Sequence, residues 1–250
     1  MKLEILKEHK KEFLEFLKLI SNNIIETNIK FDEKGLYIKS FDQSNVCYIN
    51  LFIPLNFFSQ FELKNKEEII YINLLDFIKI IDKGCNTEYS LILSKEQDDN
   101  VMTIQNGKKK FKLCLLEPEE NQKRELADFN YDVSFDMKYK DYKELISDCL
   151  IVGSKITFEI KNEKDKLKIL NCYAGEQNKF ITDFNENDII ISNSKNLNIK
   201  CNYNLEYLNK FISSIDFEII HLNIDNDKPL TIFLNYKNII LKIILANLEE

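Results

Sequence analysis

The chain has 250 residues, which is enough for one large domain or for two of ordinary size. A hydrophobic fraction of 44% excludes disorder for the bulk of the chain, and the scarcity of Gly (5) and Pro (3) argues against glycine-rich phosphate loops. The formal net charge of −7, taken alone, points away from nucleic acid, whose binders usually carry a basic footprint.

Neither a membrane segment nor a zinc site is expected. No apolar run approaches the ~20 residues that span a bilayer, and the N-terminus MKLEILKEHKK lacks the apolar core of a signal peptide. We therefore expect a soluble intracellular protein. The six cysteines lie at positions 47, 85, 114, 149, 172 and 201 without a CxxC pair, which is typical of buried free thiols in a reducing compartment.

Helical periodicity comes first along the chain. Apolar side chains at positions i, i+3, i+4 and i+7 predict a helix over residues 10–20, and these side chains are Phe13, Phe16, Leu17 and Ile20. Short β-rich runs predict strands at 36–40, 46–53, 89–93, 101–104 and 111–116. A second amphipathic helix is predicted between them, from Leu74 to a stop at Gly84.

The same order then recurs. Five segments have partners 128 to 131 residues further on, namely 13–17 with 142–146, 35–38 with 166–169, 73–79 with 204–210, 101–104 with 229–232 and 111–116 with 241–246. Such a fixed period indicates two copies of one domain, at 1–117 and 131–250. Residues 118–130 are polar apart from Leu126 and Phe129, and we interpret them as an interdomain connector.

In the second copy, Tyr142, Leu145, Ile146 and Cys149 predict one helix, and Leu205, Leu208, Phe211 and Ile212 predict another. The connections between strands are short, which favours antiparallel pairing because a parallel crossover needs a dozen or more residues. The predicted fold class is α+β: two tandem similar domains, each an antiparallel sheet with two helices on one face.

Three stretches carry a resemblance to a known family. They are GLYIKSFDQSNV at 35–46, YKDYKELISDCLIVGSKITF at 139–158, and PLTI at 229–232 together with the ending LANLEE. In their order and spacing they resemble the DNA sliding clamps of the proliferating cell nuclear antigen family, over the whole chain. The sequence departs from the family at Asn247, where a Pro is usual, and the connector lacks a second Pro.

The resemblance implies a processivity factor that encircles duplex DNA without reading its sequence. It also implies self-association into a trimeric ring, because a heterologous interface whose rotation closes gives a ring. Lysines on the polar helix faces would line the channel and attract phosphates. We assign this role to Lys11, Lys18, Lys79, Lys83, Lys140, Lys143 and Lys210.

Two further surfaces follow from the resemblance. The subunit interface would pair edge strands at about 108–116 and 173–184, with contacts from Lys108, Lys110, Lys112, Cys114, Tyr173, Glu176, Lys179 and Ile181. An apolar pocket would take short peptides of a DNA polymerase, a clamp loader, a ligase or a flap nuclease. Its residues would be Phe41, Val46, Tyr48, Leu126, Phe129, Pro229, Leu230, Ile244 and Ala246.

An enzyme is not expected. His9 and His221 occupy non-equivalent points of the two copies, the carboxylates are scattered, and neither GxGxxG nor GxxxxGK[ST] occurs. We expect no metal and no organic cofactor. Three relatives of the same fold remain alternatives: a subunit of a heterotrimeric clamp, a checkpoint-type clamp component, and a monomeric processivity factor.

Overall fold

The structure is a computed structural model that describes residues 1–96, 99–117, 126, 128–163, 166–185, 187–194 and 198–248. Within these ranges, only the backbone is described for 161–163, 166–169 and 192–194.

The first half of the chain begins with a strand followed by a long helix. Its elements are β1 (Lys2–Ile5), α1 (Lys7–Ser21), β2 (Glu26–Asp32), β3 (Gly35–Phe41), β4 (Cys47–Pro54), β5 (Gln60–Glu62), β6 (Glu67–Asn73), α2 (Leu74–Lys79), β7 (Leu91–Ser94), β8 (Val101–Asn106) and β9 (Lys109–Cys114). A 3₁₀ turn at Leu55–Phe57 follows β4, and a π-helical turn at Ile80–Gly84 extends α2.

The second half has the same opening. Its elements are β10 (Val133–Lys138), α3 (Tyr139–Val152), β11 (Lys155–Glu163), β12 (Lys166–Ala174), β13 (Phe180–Phe184), β14 (Ile189–Ser194), β15 (Ile199–Asn204), α4 (Leu205–Asn209), β16 (Ile219–Ile224), β17 (Leu230–Tyr236) and β18 (Ile239–Leu245). The predicted α+β class is confirmed, with antiparallel pairing throughout the described ladders.

The strands form three sheets, and one of them is built from both halves. A five-stranded sheet has the order β5-β1-β7-β8-β9, and a four-stranded sheet has the order β13-β12-β11-β15. The third, nine-stranded sheet has the order β14-β10-β16-β17-β18-β4-β3-β2-β6, so β18 of the second half pairs with β4 of the first. The sequence predicts a separate sheet for each half, and the structure differs because the edge strand β4 of the first half pairs with β18 of the second.

The shared sheet consists of two blocks that also occur separately. Its β14-β10-β16-β17-β18 block has the same order of elements as the five-stranded sheet. Its β4-β3-β2-β6 block has the same order as the four-stranded sheet. We call the pairing of β18 with β4 the internal junction, since it joins one block of each kind.

Helix periodicity correctly identified the buried faces of α1 and α3, whereas Leu75, on the predicted apolar face of α2, is 47% exposed. Phe13, Phe16, Leu17 and Ile20 of α1 are fully buried, as are Ile146 and Cys149 of α3. The fourth helix is shorter than predicted: α4 ends at Asn209, and Phe211 is buried beyond it. Asn73 and Asn204 cap α2 and α4 through side-chain oxygens that accept the first free backbone N–H groups, as expected for Asn at this position.

Contacts across the internal junction are aromatic and ionic as well as backbone. The ring of Phe16 on α1 lies 5.9 Å from that of Phe217, and Phe217 lies 6.2 Å from Tyr236. Lys237 Nζ is 2.5 Å from Glu12 Oε1. The two halves therefore share a core next to the sheet that they build together.

Most of the proposed connector, including 118–125 and residue 127, lies outside the described residues. The division into 1–117, 118–130 and 131–250 stays a prediction. In the described part of the chain, no helix is both long enough and apolar enough to cross a membrane.

All six cysteines are free, and four of them (Cys47, Cys149, Cys172 and Cys201) are buried, whereas Cys85 is half-buried and Cys114 is exposed on β9. Burial raises the pKa of Cys149 to about 12 and that of Cys201 to about 11. Burial likewise raises the pKa of Tyr139 to about 12. The folded protein therefore keeps these protons at a pH where the unfolded chain releases them.

An unperturbed cysteine thiol has a pKa of about 9. We therefore expect these groups to leave the free energy of unfolding unchanged below about pH 9 and to lower it as the pH rises further. Each group that stays protonated only in the folded state should contribute a slope of about 1.4 kcal/mol per pH unit. Urea unfolding between pH 7 and 11 measures this slope. Cys149→Ala should reduce it even if the variant is less stable at pH 7, and a level profile to pH 11 would contradict the assignment.

Candidate functional site

The lysines of α1 and α2 fall into two groups. Lys11 and Lys79 are exposed, and no carboxylate of the described residues lies within ion-pair distance of either. Lys18 and Lys83, in contrast, both contact Asp82, each at 2.9 Å. The hydrogen bond with Asp82 raises the pKa of Lys18, and the bond from Lys18 lowers the pKa of Asp82.

Aromatic rings hold the side chains of two lysines in the second half. Lys143 Nζ lies 5.0 Å above the Tyr139 ring, and Lys210 Nζ lies 4.8 Å above the Tyr207 ring. These are cation–π distances. Lys140, at the start of α3, is exposed. Lys210 lies one residue beyond α4 and not within it.

The helices that carry these lysines form one layer. α1 packs on α2 and α3 packs on α4. Asn22, just after α1, joins the two pairs by donating its amide N–H to the carbonyl of Lys210 at 2.9 Å. The structure thus brings the seven predicted lysines to one helical layer and adds Asp82, which the sequence pattern did not single out although it directly precedes Lys83.

One lysine of α1, Lys10, is buried. It neighbours Lys11 but is only 4% exposed, and its ammonium donates to the carbonyl of Asn86. Burial lowers its pKa. Lys10 therefore belongs to the interior and contributes little to the charge of the helical surface.

Two edge strands are the second feature. β9 ends the five-stranded sheet and β13 ends the four-stranded sheet, so each leaves one side of its backbone unpaired among the described residues. Lys110, Lys112 and Cys114 are exposed on β9, and Ile181 is 61% exposed on β13. The other predicted interface residues lie nearby: Lys108 in the β8–β9 turn, Tyr173 half-buried on β12, and Glu176 and Lys179 exposed between β12 and β13.

The predicted apolar pocket falls on the outer face of the nine-stranded sheet. Phe41, Tyr48 and Ile244 form a cross-strand row that continues to Thr231. The rings of Phe41 and Tyr48 lie 4.8 Å apart. Tyr48 and Ile244 are each only 4% exposed, so they form the floor of this surface, while Phe41 stands half-buried at its side.

Two chain segments border this row. The Tyr131 hydroxyl bonds Thr231 Oγ1 at 2.6 Å, and the Phe129 ring, 37% exposed, lies 6.1 Å from the Tyr131 ring. On the other side, the backbone N–H of Ala246 donates to the carbonyl of Val46 at 2.9 Å. Leu126, Pro229 and Val46 are half-buried. Leu230 is fully buried and, being adjacent to Thr231 on β17, faces the opposite side of the sheet.

The end of the connector is tied to the same sheet. Lys242 Nζ on β18 lies 2.5 Å from Asp128 Oδ1, and this bond lowers the pKa of Asp128. Lys242 also lies 5.6 Å above the Phe233 ring. These contacts place Phe129 beside the row of Phe41, Tyr48 and Ile244.

A buried carboxylate organises the turn between β3 and β4, and sequence reasoning missed it. Asp42 is 7% exposed, and its Oδ1 accepts the backbone N–H groups of Val46 and Cys47, both at 2.8 Å. Its Oδ2 accepts the hydroxyl of Tyr207 at 2.7 Å. Burial and then this hydrogen bond raise the pKa of Tyr207. The signal in the sequence is an Asp that opens the turn FDQSNV, a position where Asp bonds the backbone that follows.

The two histidines have structural partners. His9 stacks on Phe57 with ring centroids 5.0 Å apart. His221 Nδ1 lies 2.6 Å from Asp136 Oδ1 on the neighbouring strand. Among the described residues, no group of three or more His, Cys, Asp or Glu is placed to hold a metal ion.

Comparison with known proteins gives consistent matches. The family model for the N-terminal domain of proliferating cell nuclear antigen matches residues 7–134. The DNA polymerase sliding clamp of Thermococcus gammatolerans is 31% identical over 182 residues, covering 72% of this chain and 70% of the relative. DNA polymerase sliding clamp 1 of Thermococcus kodakarensis is 28% identical over 235 residues, covering 92% and 91%.

Solved structures match the fold along its length. The PCNA of A. fulgidus, solved with the C-terminal region of FEN-1 bound, has a TM-score of 0.83 at 18% identity, and the match covers 100% of this chain and 98% of that one. PCNA of Entamoeba histolytica has a TM-score of 0.82 at 19% identity, with 99% of each chain covered. Because the family model matches half of the chain and a relative exceeds 30% identity over most of it, the chain belongs to the proliferating cell nuclear antigen family.

Proposed function

We propose that this protein is a DNA sliding clamp: a ring subunit that encircles duplex DNA and tethers DNA polymerase and other replication and repair proteins to it. Its sequence relatives are named DNA polymerase sliding clamps. The observation that carries the proposal is the internal junction, which joins two blocks whose counterparts, the five-stranded and four-stranded sheets, have edges left to pair.

Ring closure follows from repeating that junction between chains. If β9 of one copy pairs with β13 of the next, the five-stranded and four-stranded sheets become a nine-stranded sheet with the order found inside the chain. Such a contact is heterologous, and it leaves neither β9 nor β13 unpaired once the last copy meets the first. We propose three subunits, each made of two copies of one domain at 1–117 and 131–250.

The internal junction also supplies a register for the contact between chains. On β17 and β18, Leu234 lies opposite Leu241, and on β8 and β9, Ile104 lies opposite Phe111. The two ladders are therefore related by a shift of 130 residues. Ile240 of the internal junction corresponds by this shift to Lys110.

A second shift relates β4 to β13. The capping residues Asn73 and Asn204 occupy equivalent positions at the ends of β6 and β15. In the first half, the pairing leads from β6 through β2 to Tyr37 on β3, and in the second half the same steps lead from β15 through β11 to Asn171 on β12. Tyr37 lies opposite Phe52 on β4, and Asn171 lies opposite Asp183 on β13. Phe52 therefore corresponds to Asp183.

In the internal junction, Ile240 lies opposite Phe52. The equivalent contact between chains sets Lys110 opposite Asp183 of the next copy. Opposite charges directly across an antiparallel pair contribute roughly 0.2–1 kcal/mol. An apolar pair inside the chain thus becomes an ionic pair between chains, and this favours the proposed register.

We expect Lys110→Asp and Asp183→Lys each to raise the concentration at which the ring dissociates, and the double variant to restore it. Mass as a function of concentration, from light scattering after size-exclusion chromatography, measures the change against a subunit mass of 29.7 kDa. Failure of the double variant to recover would contradict the register. A wild-type chain that stays monomeric alone but assembles with paralogues would instead support the heterotrimeric or checkpoint-type alternative.

The negative charge is compatible with a channel for DNA. A clamp must slide, so it needs a weak, sequence-independent attraction inside and no basic patch outside. The helical layer carries the seven lysines, and Asp82 partly neutralises two of them. Since an ion pair at a channel wall reduces the field that reaches a phosphate, Lys11, Lys79, Lys140 and Lys143 should contribute most.

We expect the combined replacement of Lys11, Lys79, Lys140 and Lys143 by Glu to weaken retention on DNA and shorten the products made per binding event by a loaded polymerase. The matched control replaces four exposed lysines outside the helices by Glu, with the same change in net charge: Lys2, Lys34, Lys66 and Lys138. Both variants should fold and assemble. Unchanged processivity in the first, or an equal loss in the second, would remove the channel assignment.

We also propose that the cross-strand row on the outer face of the nine-stranded sheet is the site for partner peptides. Phe41, Tyr48 and Ile244 offer an apolar floor, and Phe129, Val46 and Ala246 border it. An amphipathic or extended segment with apolar anchors could bury them. The PCNA of A. fulgidus was solved with the C-terminal region of FEN-1 bound, so a peptide from that region is a suitable probe. Leu230 is left out because it faces the core.

Phe41→Ala should weaken binding of a labelled peptide from the C-terminal region of FEN-1 by roughly tenfold or more, because the peptide loses contact with the half-buried aromatic ring beside the floor. Tyr37→Ala is a matched control: its ring lies 4.8 Å from Phe52, as that of Phe41 lies 4.8 Å from Tyr48, but at another point of the sheet. Fluorescence anisotropy measures both. Equal losses would indicate damage to the sheet and not to a pocket.

Catalysis forms no part of the proposal. A clamp acts by topology: it holds its partners at a high effective concentration beside DNA, and the chemistry belongs to those partners. The proposed function places the protein inside the cell, wherever DNA is replicated.

A further inference from the structure

The turn between β3 and β4 is held from three directions. Within the turn, the Asp42 carboxylate accepts the amides of Val46 and Cys47. From the C-terminal tail, Ala246 donates to the carbonyl of Val46. From α4 in the other half of the chain, Tyr207 donates its hydroxyl to Asp42. Val46 is therefore fixed at both of its backbone polar groups, and one of these bonds depends on the orientation of Asp42.

The turn needs such support because its backbone is not relaxed. Asn45 has a φ of 56°, in the left-handed region, which costs free energy for any residue with a side chain although Asn tolerates it better than most. Asn45 also donates its N–H to the carbonyl of Asp42 at 3.0 Å. Apart from the bond between Ala246 and Val46, the hydrogen bonds named here that hold this turn all involve Asp42.

The Tyr207 hydroxyl satisfies the second oxygen of that carboxylate. Asp42 is 7% exposed, and a buried carboxylate oxygen without a donor is costly, so the carboxylate would have to turn toward water if the hydroxyl were absent. Turning it would release the amides of Val46 and Cys47.

We propose that Tyr207 is a positioning residue for the partner-peptide site: its hydroxyl orients Asp42, and Asp42 holds the turn that carries Phe41 and Val46. The residue lies 165 positions from Asp42, on an element whose neighbouring lysine belongs to the proposed channel. The inference rests on the proposed peptide site. It adds that Tyr207, a residue of α4 in the second half of the chain, determines the shape of this site in the first half.

The variant Tyr207→Phe removes the hydroxyl and keeps the ring under Lys210. We expect the amides of Val46 and Cys47 to exchange with solvent about tenfold faster, since a hydrogen bond to a charged group is lost. We expect the labelled peptide from the C-terminal region of FEN-1 to bind about tenfold more weakly through faster dissociation. Amide exchange by NMR and anisotropy measure the two effects on the assembled protein.

Tyr142→Phe is the matched control. Its hydroxyl donates to the carbonyl of Leu208 at 3.2 Å, so this variant also removes one buried tyrosine bond to α4 but leaves the turn untouched. It should change neither the exchange of the two amides nor peptide affinity. If Tyr142→Phe has the same effects as Tyr207→Phe, or if Tyr207→Phe leaves the two amides at their wild-type rates, the inference is overturned.

The proposed peptide site and the proposed role of Tyr207 can be refuted independently of each other. If the wild-type protein binds no peptide, the proposed site falls, while the exchange of the Val46 and Cys47 amides still decides whether Tyr207 orders the turn. If peptide binds normally to Tyr207→Phe while those amides exchange faster, the turn is ordered by Tyr207 but does not position the site, and the inference is overturned with the peptide site intact.

Discussion

Backbone hydrogen bonds between β18 and β4 are the interaction on which the rest of this molecule depends. They run from Leu245 opposite Cys47 to Ile240 opposite Phe52 and join the last strand of the chain to the first half. Because buried backbone groups must find partners, this pairing fixes how the halves lie relative to each other. It also determines which edges, β9 and β13, remain for another copy.

The same pairing separates the two faces of the protein. Core side chains such as Leu241 and Leu51 point to one side of the sheet, toward the helices, and Tyr48 and Ile244 point to the other. The predicted channel lysines lie on or beside the helices, and the row of Phe41, Tyr48 and Ile244 lies on the face of the sheet away from the core. In the proposed function, DNA and a partner peptide would therefore bind at different sites and would not compete.

The positive charge of the lysines in the helical layer is partly neutralised or held in place by neighbouring side chains. Asp82 binds Lys18 and Lys83, and the rings of Tyr139 and Tyr207 lie beneath Lys143 and Lys210. Each arrangement keeps a cation near the surface while limiting its freedom. This agrees with an attraction strong enough to centre a duplex and weak enough, once screened by salt, to let it move.

The sequence by itself determined the four helices, five of the nine strands described in the first half, and the family. Periodicity identified the buried faces of α1 and α3, and the segment from Gly35 to Val46 carried the resemblance, because these signals lie within short stretches of chain. Long-range partners left no such signal. That β18 pairs with β4, that Asp82 binds two lysines, that Leu230 faces the core and that Tyr207 bonds Asp42 were decided by the tertiary structure alone. The physical reason is that a hydrogen bond or an ion pair depends on distances between atoms, and residues 165 positions apart acquire such a distance only when the whole chain has folded.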